Sequence, residues 1–290
     1  MKFKVAILGT GNIGTDLLIK ISRSPYLQCT LFAGRNLSSK GMLKAMSLGI
    51  TLSDRGIDAI LENPECCDLV FDATSASSHK IHAPILKQLN KIVIDLTPAK
   101  LGLFTIPAVN LDEALKYDNL NMITCGGQAS IPIAYAISKV VSSIEYIELV
   151  STIASKSAGP GTRANIDEYI ETTEKALSHF TGAQNVKVII NLNPAQPSID
   201  MNTTIYLKIN NPDMDLISSE IKKMVVIIQS YVPGYFLALE PVYDNGLVIL
   251  SIKVQGLGDY LPKYAGNLDI INSAAIALAE EFAKNKEVCL

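Results

Sequence analysis

The sequence predicts an α/β protein in two parts, a doubly wound parallel sheet followed by a mixed α/β domain. Three observations carry that prediction. The chain opens as a buried strand, a Gly-rich turn and an amphipathic helix, "KVAILGTGNIGTDLLIKI". The next strands, within "CDLVFDATSASSHK" and "NKIVIDLTPAK", are continuous Val/Ile/Leu runs, as parallel strands covered on both faces are. From about residue 126 the pattern changes to strand pairs with edge alternation between longer helices, which suits a mixed sheet.

The bulk numbers agree with a folded enzyme-sized chain. Its 290 residues are enough for two ordinary domains, and 48% hydrophobic against 18% charged residues can build a sizeable core. The net charge of −3 is spread over interspersed acids and bases, which argues against a nucleic-acid or membrane-surface partner. No apolar run reaches the roughly 20 residues of a membrane-spanning helix. The N-terminal "MKFKVAILGTGNIG" superficially mimics a secretion leader but runs into a Gly-rich turn, so it reads as a first strand. Five cysteines do not make a disulfide framework, and the three histidines lack metal-site spacing. A cytoplasmic protein with no metal is the expectation.

Gly9, Gly11 and Gly14 satisfy G-x-G-x-x-G directly after a strand and at the start of a helix. The first permits the tight turn, the second lets backbone approach a pyrophosphate, and the third allows close helix–strand packing. The helix N-terminus then faces the phosphates with partial positive charge. A second strand, "QCTLFAGR", ends at Arg35-Asn36 without the acid that would bind the ribose of NAD. Arg35 with Ser38 and Ser39 leaves NADP possible; an exposed arginine in a polar loop is the alternative. The third and fourth strands end in Thr74-Ser75 and Asp95-Leu96-Thr97, where such a sheet holds its ligand. His79 and His82 are expected to be surface residues of the helix between them.

"NMIT" is expected to be a further strand of this sheet, with Cys125 at its carboxyl edge and a buried helix beginning just after it. A thiol there either fills a small apolar gap or is a nucleophile, its thiolate favoured by free backbone N–H groups. In the second part, "SAGPGTRAN" (157–165) is a Gly/Pro-rich loop with Arg163, and Asn165 is placed to cap the next helix. The loop is either a sharp connection or a seat for a phosphate or carboxamide. The Ala-rich C-terminal helix is expected to return onto the first sheet. The predicted domains are therefore 1–125 with 265–290, and 126–264.

Taken together, "GTGNIGTDLL", "FDATSAS", "IDLTPA", "TCGGQASIP", "SAGPGTRANIDEYIETT" and "YLPKYAGNLDI" resemble the acylating acetaldehyde dehydrogenases that pair with 4-hydroxy-2-oxovalerate aldolases, over residues 3 to 283. The resemblance implies a Rossmann domain completed by the C-terminal helix, with an inserted mixed α/β domain that mediates dimerisation. It implies oxidation of acetaldehyde or propanal with NAD and coenzyme A to the acyl-CoA, through a thioester on Cys125. It places cofactor contacts at Thr10, Gly11, Asn12 and Ile13, in the loop Ser157, Ala158, Gly159, Pro160, Gly161, Thr162, Arg163, Ala164 and Asn165, and at Asn267. The other cysteines, Cys29, Cys66, Cys67 and Cys289, are expected to be packing or surface residues.

Three departures stand out. The family's general-base aspartate falls at Thr203, whose hydroxyl cannot take up a proton as a carboxylate can. Asp200, three residues earlier, would lie on the opposite face of a strand. The segment between "VPGY" and "VQGLGDY" is shorter than in the family, and Asn36 replaces a common aspartate. Two other readings therefore stay open: a phosphorylating semialdehyde dehydrogenase, and a dinucleotide-binding partner protein without turnover.

Overall fold

The computed structural model describes residues 2–288, so Cys289 lies outside the described residues. The chain forms two compact units. One runs to Met122 and takes in Asp259–Leu261 and the chain from Asn272 onward; the other comprises Ile123–Gly258 and Pro262–Ile271. Cys125 thus belongs to the second unit.

The first unit alternates strands and helices: β1 (Phe3–Leu8), α1 (Asn12–Arg23), β2 (Leu27–Ala33), α2 (Lys40–Ser47), β3 (Leu52–Ser53), α3 (Asp58–Glu62), β4 (Leu69–Asp72), α4 (Ala76–Gln88), β5 (Ile92–Asp95), β6 (Leu103–Phe104), α5 (Pro107–Ala114) and β7 (Asn119–Asn121). The strands form one parallel sheet in the order β3-β2-β1-β4-β5-β7-β6. Strand order reverses at β1, so the carboxyl ends of β1 and β4 flank the crevice where such sheets bind ligands. Val5, Ile7, Phe32, Val70, Phe71 and Ile94 are fully buried, because helices cover both faces. The run "NMIT" is not a strand throughout: β7 stops at Asn121, and Met122 N–H still donates to Asp95 O (2.8 Å) before the backbone turns away.

The second unit contains α6 (Cys125–Ser138), β8 (Tyr146–Ala154), α7 (Pro160–Ala164), α8 (Ile166–Thr181), β9 (Val186–Asn193), β10 (Met201–Lys208), α9 (Met214–Gln229), β11 (Tyr235–Asp244) and β12 (Leu247–Val254). Its sheet runs β11-β12-β10-β8-β9, with β8 and β9 parallel and the other pairs antiparallel. Helix α6 is apolar almost all round and is buried against α8, α9, β10 and β12. The segment between "VPGY" and "VQGLGDY" is a tight hairpin. Asn245 and Gly246 have φ of 47° and 80°, the left-handed pair that a two-residue turn between β11 and β12 requires.

The last helix, α10 (Gly266–Val288), begins in the second unit and continues in the first. There Asn272 Nδ2 donates to Asp16 Oδ2 (2.8 Å) and to Ile13 O (3.3 Å), fastening α10 to α1.

Candidate active site

The Gly-rich turn is built as the spacing requires. Gly9 has φ +101°, and a Cβ there would lie 2.4 Å from Ala73 O; a Cβ on Gly14 would lie 1.9 Å from Gly9 O. Gly11 has open space around its missing Cβ and caps α1, whose first turn carries no acid. These features fit a dinucleotide pyrophosphate: a tight cradle, an open approach and an unopposed positive helix end. The turn lines a cleft of about 420 Å³ together with Arg35, Asn36, Thr74, Ser75 and His82. Arg35 is exposed there, while Asn36 Oδ1 is occupied by Ser38 N–H (2.9 Å) and Ser38 Oγ (2.6 Å).

His79 and His82 are not the surface residues that the sequence suggested. His79 is fully buried, and both histidines place Nδ1 on Asp72 Oδ2, at 2.9 and 2.8 Å. Burial alone would raise Asp72, but hydrogen bonds from His79 and His82 outweigh it and hold the carboxyl below the usual range. His79 Nε2 lies 3.5 Å from Asp95 Oδ2. Burial opposes the charged form of His79, yet Asp72 and Asp95 raise it. Burial pushes Asp95 up to about 7, against the charge of His79 and the Thr97 N–H. The signal was present in the sequence: a strand-terminal aspartate precedes two histidines spaced i, i+3, which share one helix face.

Cys125 is the first residue of α6. Thr124 caps the helix, accepting from Gly127 N–H (2.9 Å), and its hydroxyl meets Thr173 Oγ1 on α8 at 2.7 Å. The turn into the helix passes through Ile123 at φ 62°, a left-handed conformation that a β-branched residue adopts only under constraint. Cys125 is half-buried, and its Sγ is 3.8 Å from Tyr169 Oη on α8. Here the sequence-based expectation of a lowered thiol pKa meets an opposing effect. Burial pushes the thiol up to about 11, outweighing the hydrogen bonds from Tyr169 and from the N–H groups of Gly126 and Cys125. Desolvation penalises the charged form more than those donors favour it.

The loop after β8 is held by its own arginine. Arg163 Nε donates to Ala158 O (3.0 Å), and Nη2 donates to Ser155 O (2.9 Å) and Oγ (2.8 Å). Asn165 stands at the cap position of α8 but makes no side-chain cap; its Nδ2 donates back to Gly161 O (2.6 Å). Ser157 is buried, with its hydroxyl on Ala154 O (2.8 Å). Asn267 is buried in the first turn of α10, and its Oδ1 has no hydrogen-bond partner. A buried, unsatisfied amide oxygen is costly and fits a donor on a ligand, such as a carboxamide N–H. The loop and Asn267 lie in the second unit, whereas the Gly-rich turn and Arg35 lie in the first.

Thr203 is buried on β10, directly opposite Ser151 of β8, with their hydroxyl oxygens 2.9 Å apart. Asp200 precedes the strand and is paired with Lys253 Nζ (2.9 Å). Among the other cysteines, Cys29 and Cys67 are buried and Cys66 is half-buried. The Cys66 thiol is lowered to about 7, chiefly by a hydrogen bond from Cys67. Sequence reasoning missed Tyr169 and Ser151, whose importance lies in contacts across the fold.

Comparison with known proteins agrees with this geometry. Residues 125–262 match the family described as prokaryotic acetaldehyde dehydrogenase, dimerisation, and residues 4–114 match the semialdehyde dehydrogenase NAD binding domain. The chain is 58% identical over 281 residues to the acetaldehyde dehydrogenase of Spirochaeta aurantia, covering 97% of this chain and 95% of that protein. It is 60% identical over 281 residues to that of Pectobacterium atrosepticum, covering 96% and 95%. The crystal structure of aspartate semialdehyde dehydrogenase II from Vibrio cholerae shares the fold, with a TM-score of 0.64 at 14% identity over 98% of this chain and 99% of that one. With that identity sustained along nearly the whole chain, and a Gly-rich turn and a cysteine at a capped helix start built as described, the chain belongs to the prokaryotic acetaldehyde dehydrogenase family.

Proposed function

We propose that Cys125 is the nucleophile of this NAD-dependent aldehyde dehydrogenase, which converts acetaldehyde and coenzyme A to acetyl-CoA. The observation that carries the assignment is the position of Cys125 at the capped N-terminus of α6, with the N–H groups of Cys125 and Gly126 directed at its sulfur. Those donors and the Tyr169 hydroxyl favour the thiolate, whose electron pair forms the S–C bond to the aldehyde carbon as the carbonyl oxygen becomes an alkoxide. The same kind of donor stabilises that alkoxide. NAD, when bound, accepts the hydride that turns the thiohemiacetal into a thioester. Gly9, Gly11 and Gly14 would hold its pyrophosphate, with Thr10, Asn12 and Ile13 beside it. Asn267 and the loop from Ser157 to Asn165 would serve the cofactor in the second unit. The thiolate of coenzyme A then attacks the thioester carbon and releases Cys125.

Thr203 and Asp200 offer no free carboxylate for that last step, so coenzyme A enters as a thiolate formed in solvent. We extend the reading to a homodimer. The dimerisation region spans 125–262, and its edge strand β11 exposes Phe236, Leu239, Val242 and Tyr243. An aldolase that supplies the aldehyde is the partner implied by the resemblance. Among the described residues no helix is long and apolar enough to cross a membrane, which is consistent with a cytoplasmic enzyme.

The test follows reduced nicotinamide by absorbance with acetaldehyde and NAD, with and without coenzyme A. Coenzyme A-dependent turnover is expected, and its loss by more than about 1,000-fold in Cys125→Ser, because a hydroxyl has far less of its nucleophilic anion at neutral pH. Turnover retained in Cys125→Ser would remove the assignment.

A further inference from the structure

The inner face of the second sheet is apolar except at one place. On that face β8 places the buried Ile147, Leu149, Ser151 and Ile153, and β10 places the buried Met201, Thr203, Ile205 and Leu207. Ser151 and Thr203 are opposite each other in register and bonded through their hydroxyls at 2.9 Å. A polar pair in an apolar layer needs partners, because a buried hydroxyl left without one carries its full desolvation cost. The partner is Tyr169. Its buried hydroxyl is hydrogen-bonded to Ser151 and lies 3.8 Å from Cys125 Sγ. Four side chains from β10, β8, α8 and α6 therefore make one continuous line: Thr203, Ser151, Tyr169, Cys125.

The polarity of this line is set by its end. While sulfur carries its proton, Sγ–H donates to Tyr169 Oη. When that proton passes to solvent water, the S–H electron pair stays on sulfur, which can then only accept. The phenol must turn its O–H to sulfur. Its oxygen is left to accept from Ser151, and the Ser151 oxygen accepts from Thr203. Each donation polarises the next, and chains of this kind strengthen one another in a poorly solvated site.

We propose that Tyr169 is the hydrogen-bond donor that stabilises the Cys125 thiolate, with Ser151 and Thr203 as positioning residues that orient its hydroxyl. This rests on the reading of Cys125 as the nucleophile. It gives Thr203 a role that differs in kind from that of a general base: the threonine takes up no proton and instead supplies the first donor of the line. A carboxylate at that position would reverse the polarity of the Ser151 contact, since it only accepts.

The experiment measures carbamidomethylation of Cys125 by iodoacetamide in the intact protein at pH 8.5. Labelling is read on the Cys125 peptide by mass spectrometry, so that labelling of Cys66 does not interfere. Tyr169→Phe is expected to slow labelling about tenfold, the equivalent of about one unit in thiol pKa. Thr203→Val is expected to slow it about threefold, whereas Thr203→Ser, which keeps the hydroxyl, restores the original rate. A threonine that only filled space would be served as well by the isosteric valine, so the Val/Ser contrast is the diagnostic readout. Ser151→Ala, which interrupts the line without touching Tyr169 packing, is expected to match Thr203→Val. It keeps the test decisive if Tyr169→Phe fails to fold. Equal labelling rates in the original protein, Ser151→Ala and Thr203→Val would overturn the proposal. Labelling reads the thiol directly, so its outcome is independent of turnover in Cys125→Ser, which decides the nucleophile assignment alone.

Discussion

The Tyr169 hydroxyl occupies the space that a side chain on Gly126 would need. A Cβ added at Gly126 lies 2.1 Å from Tyr169 Oη and 3.2 Å from Ser151 Oγ. The glycine after the cysteine is therefore what lets a tyrosine of α8 reach the first turn of α6. Gly127 serves the same turn, since a Cβ there would meet Ile123 Cγ2 at 2.8 Å.

Gly126→Ala is expected to push Tyr169 away from Cys125. Overpacking of this kind costs about 1–3 kcal/mol, which for a protein of this size is a fall of several degrees in Tm. Turnover should fall more than about tenfold, because the donor to the thiolate is displaced along with the packing. Calorimetry and the nicotinamide assay check both; an alanine variant with unchanged Tm and turnover would refute the close approach.

The buried Asp72–His79–Asp95 cluster predicts a pH dependence of stability with a definite sign. Asp95 is raised to about 7 by burial, so between about pH 4 and 7 the folded protein holds a proton that the unfolded chain releases. Its contribution is present at low pH and is lost as pH rises through 7. His79 is raised by Asp72 and Asp95 against its burial, and its contribution is likewise lost on the alkaline side. Asp72 is depressed and acts in the opposite direction, but only below the ordinary carboxylate range. The Tm is therefore expected to decline by a few degrees from pH 5 to pH 7. In Asp95→Asn the slope over that window should flatten, whatever the absolute Tm. A Tm that rises across the window would contradict the raised Asp95.

Asp200 lies near Thr203 in sequence but is engaged elsewhere, with Lys253 Nζ at 2.9 Å and Gln255 Nε2 at 3.4 Å. Asp200→Asn is expected to leave kcat within about twofold, since a partly exposed ion pair contributes little. The value of kcat/KM for coenzyme A should climb with pH toward the ordinary thiol range, near 8.5, in both proteins. A hundredfold loss in Asp200→Asn would instead make this carboxylate the base.

The glycine spacing, the parallel strands and the thiol at a strand-to-helix turn were legible because each is a local demand of the backbone. Gly9 needs a positive φ, Gly14 needs the absence of a Cβ, and a helix start needs a cap, whatever packs around them. The same locality explains two of the misreadings. His79 and His82 lie on a helix whose polar sequence reads as solvent-facing, but Asp72 at the end of β4 draws both side chains inward. The run "NMIT" reads as strand, but β7 stops at Asn121 and Ile123 turns left-handed.

By itself the sequence determined the dinucleotide turn, the alternation of strands and helices, and the cysteine's place at a helix start. Those properties follow from φ, ψ and hydrophobic periodicity over a few residues. Only the tertiary structure decided what surrounds the thiol. The approach of Tyr169, the facing of Ser151 and Thr203, and the upward push on the Cys125 thiol arise between elements distant along the chain. A pKa is set by desolvation and by charges and donors through space, and neither is encoded in residue spacing along one segment.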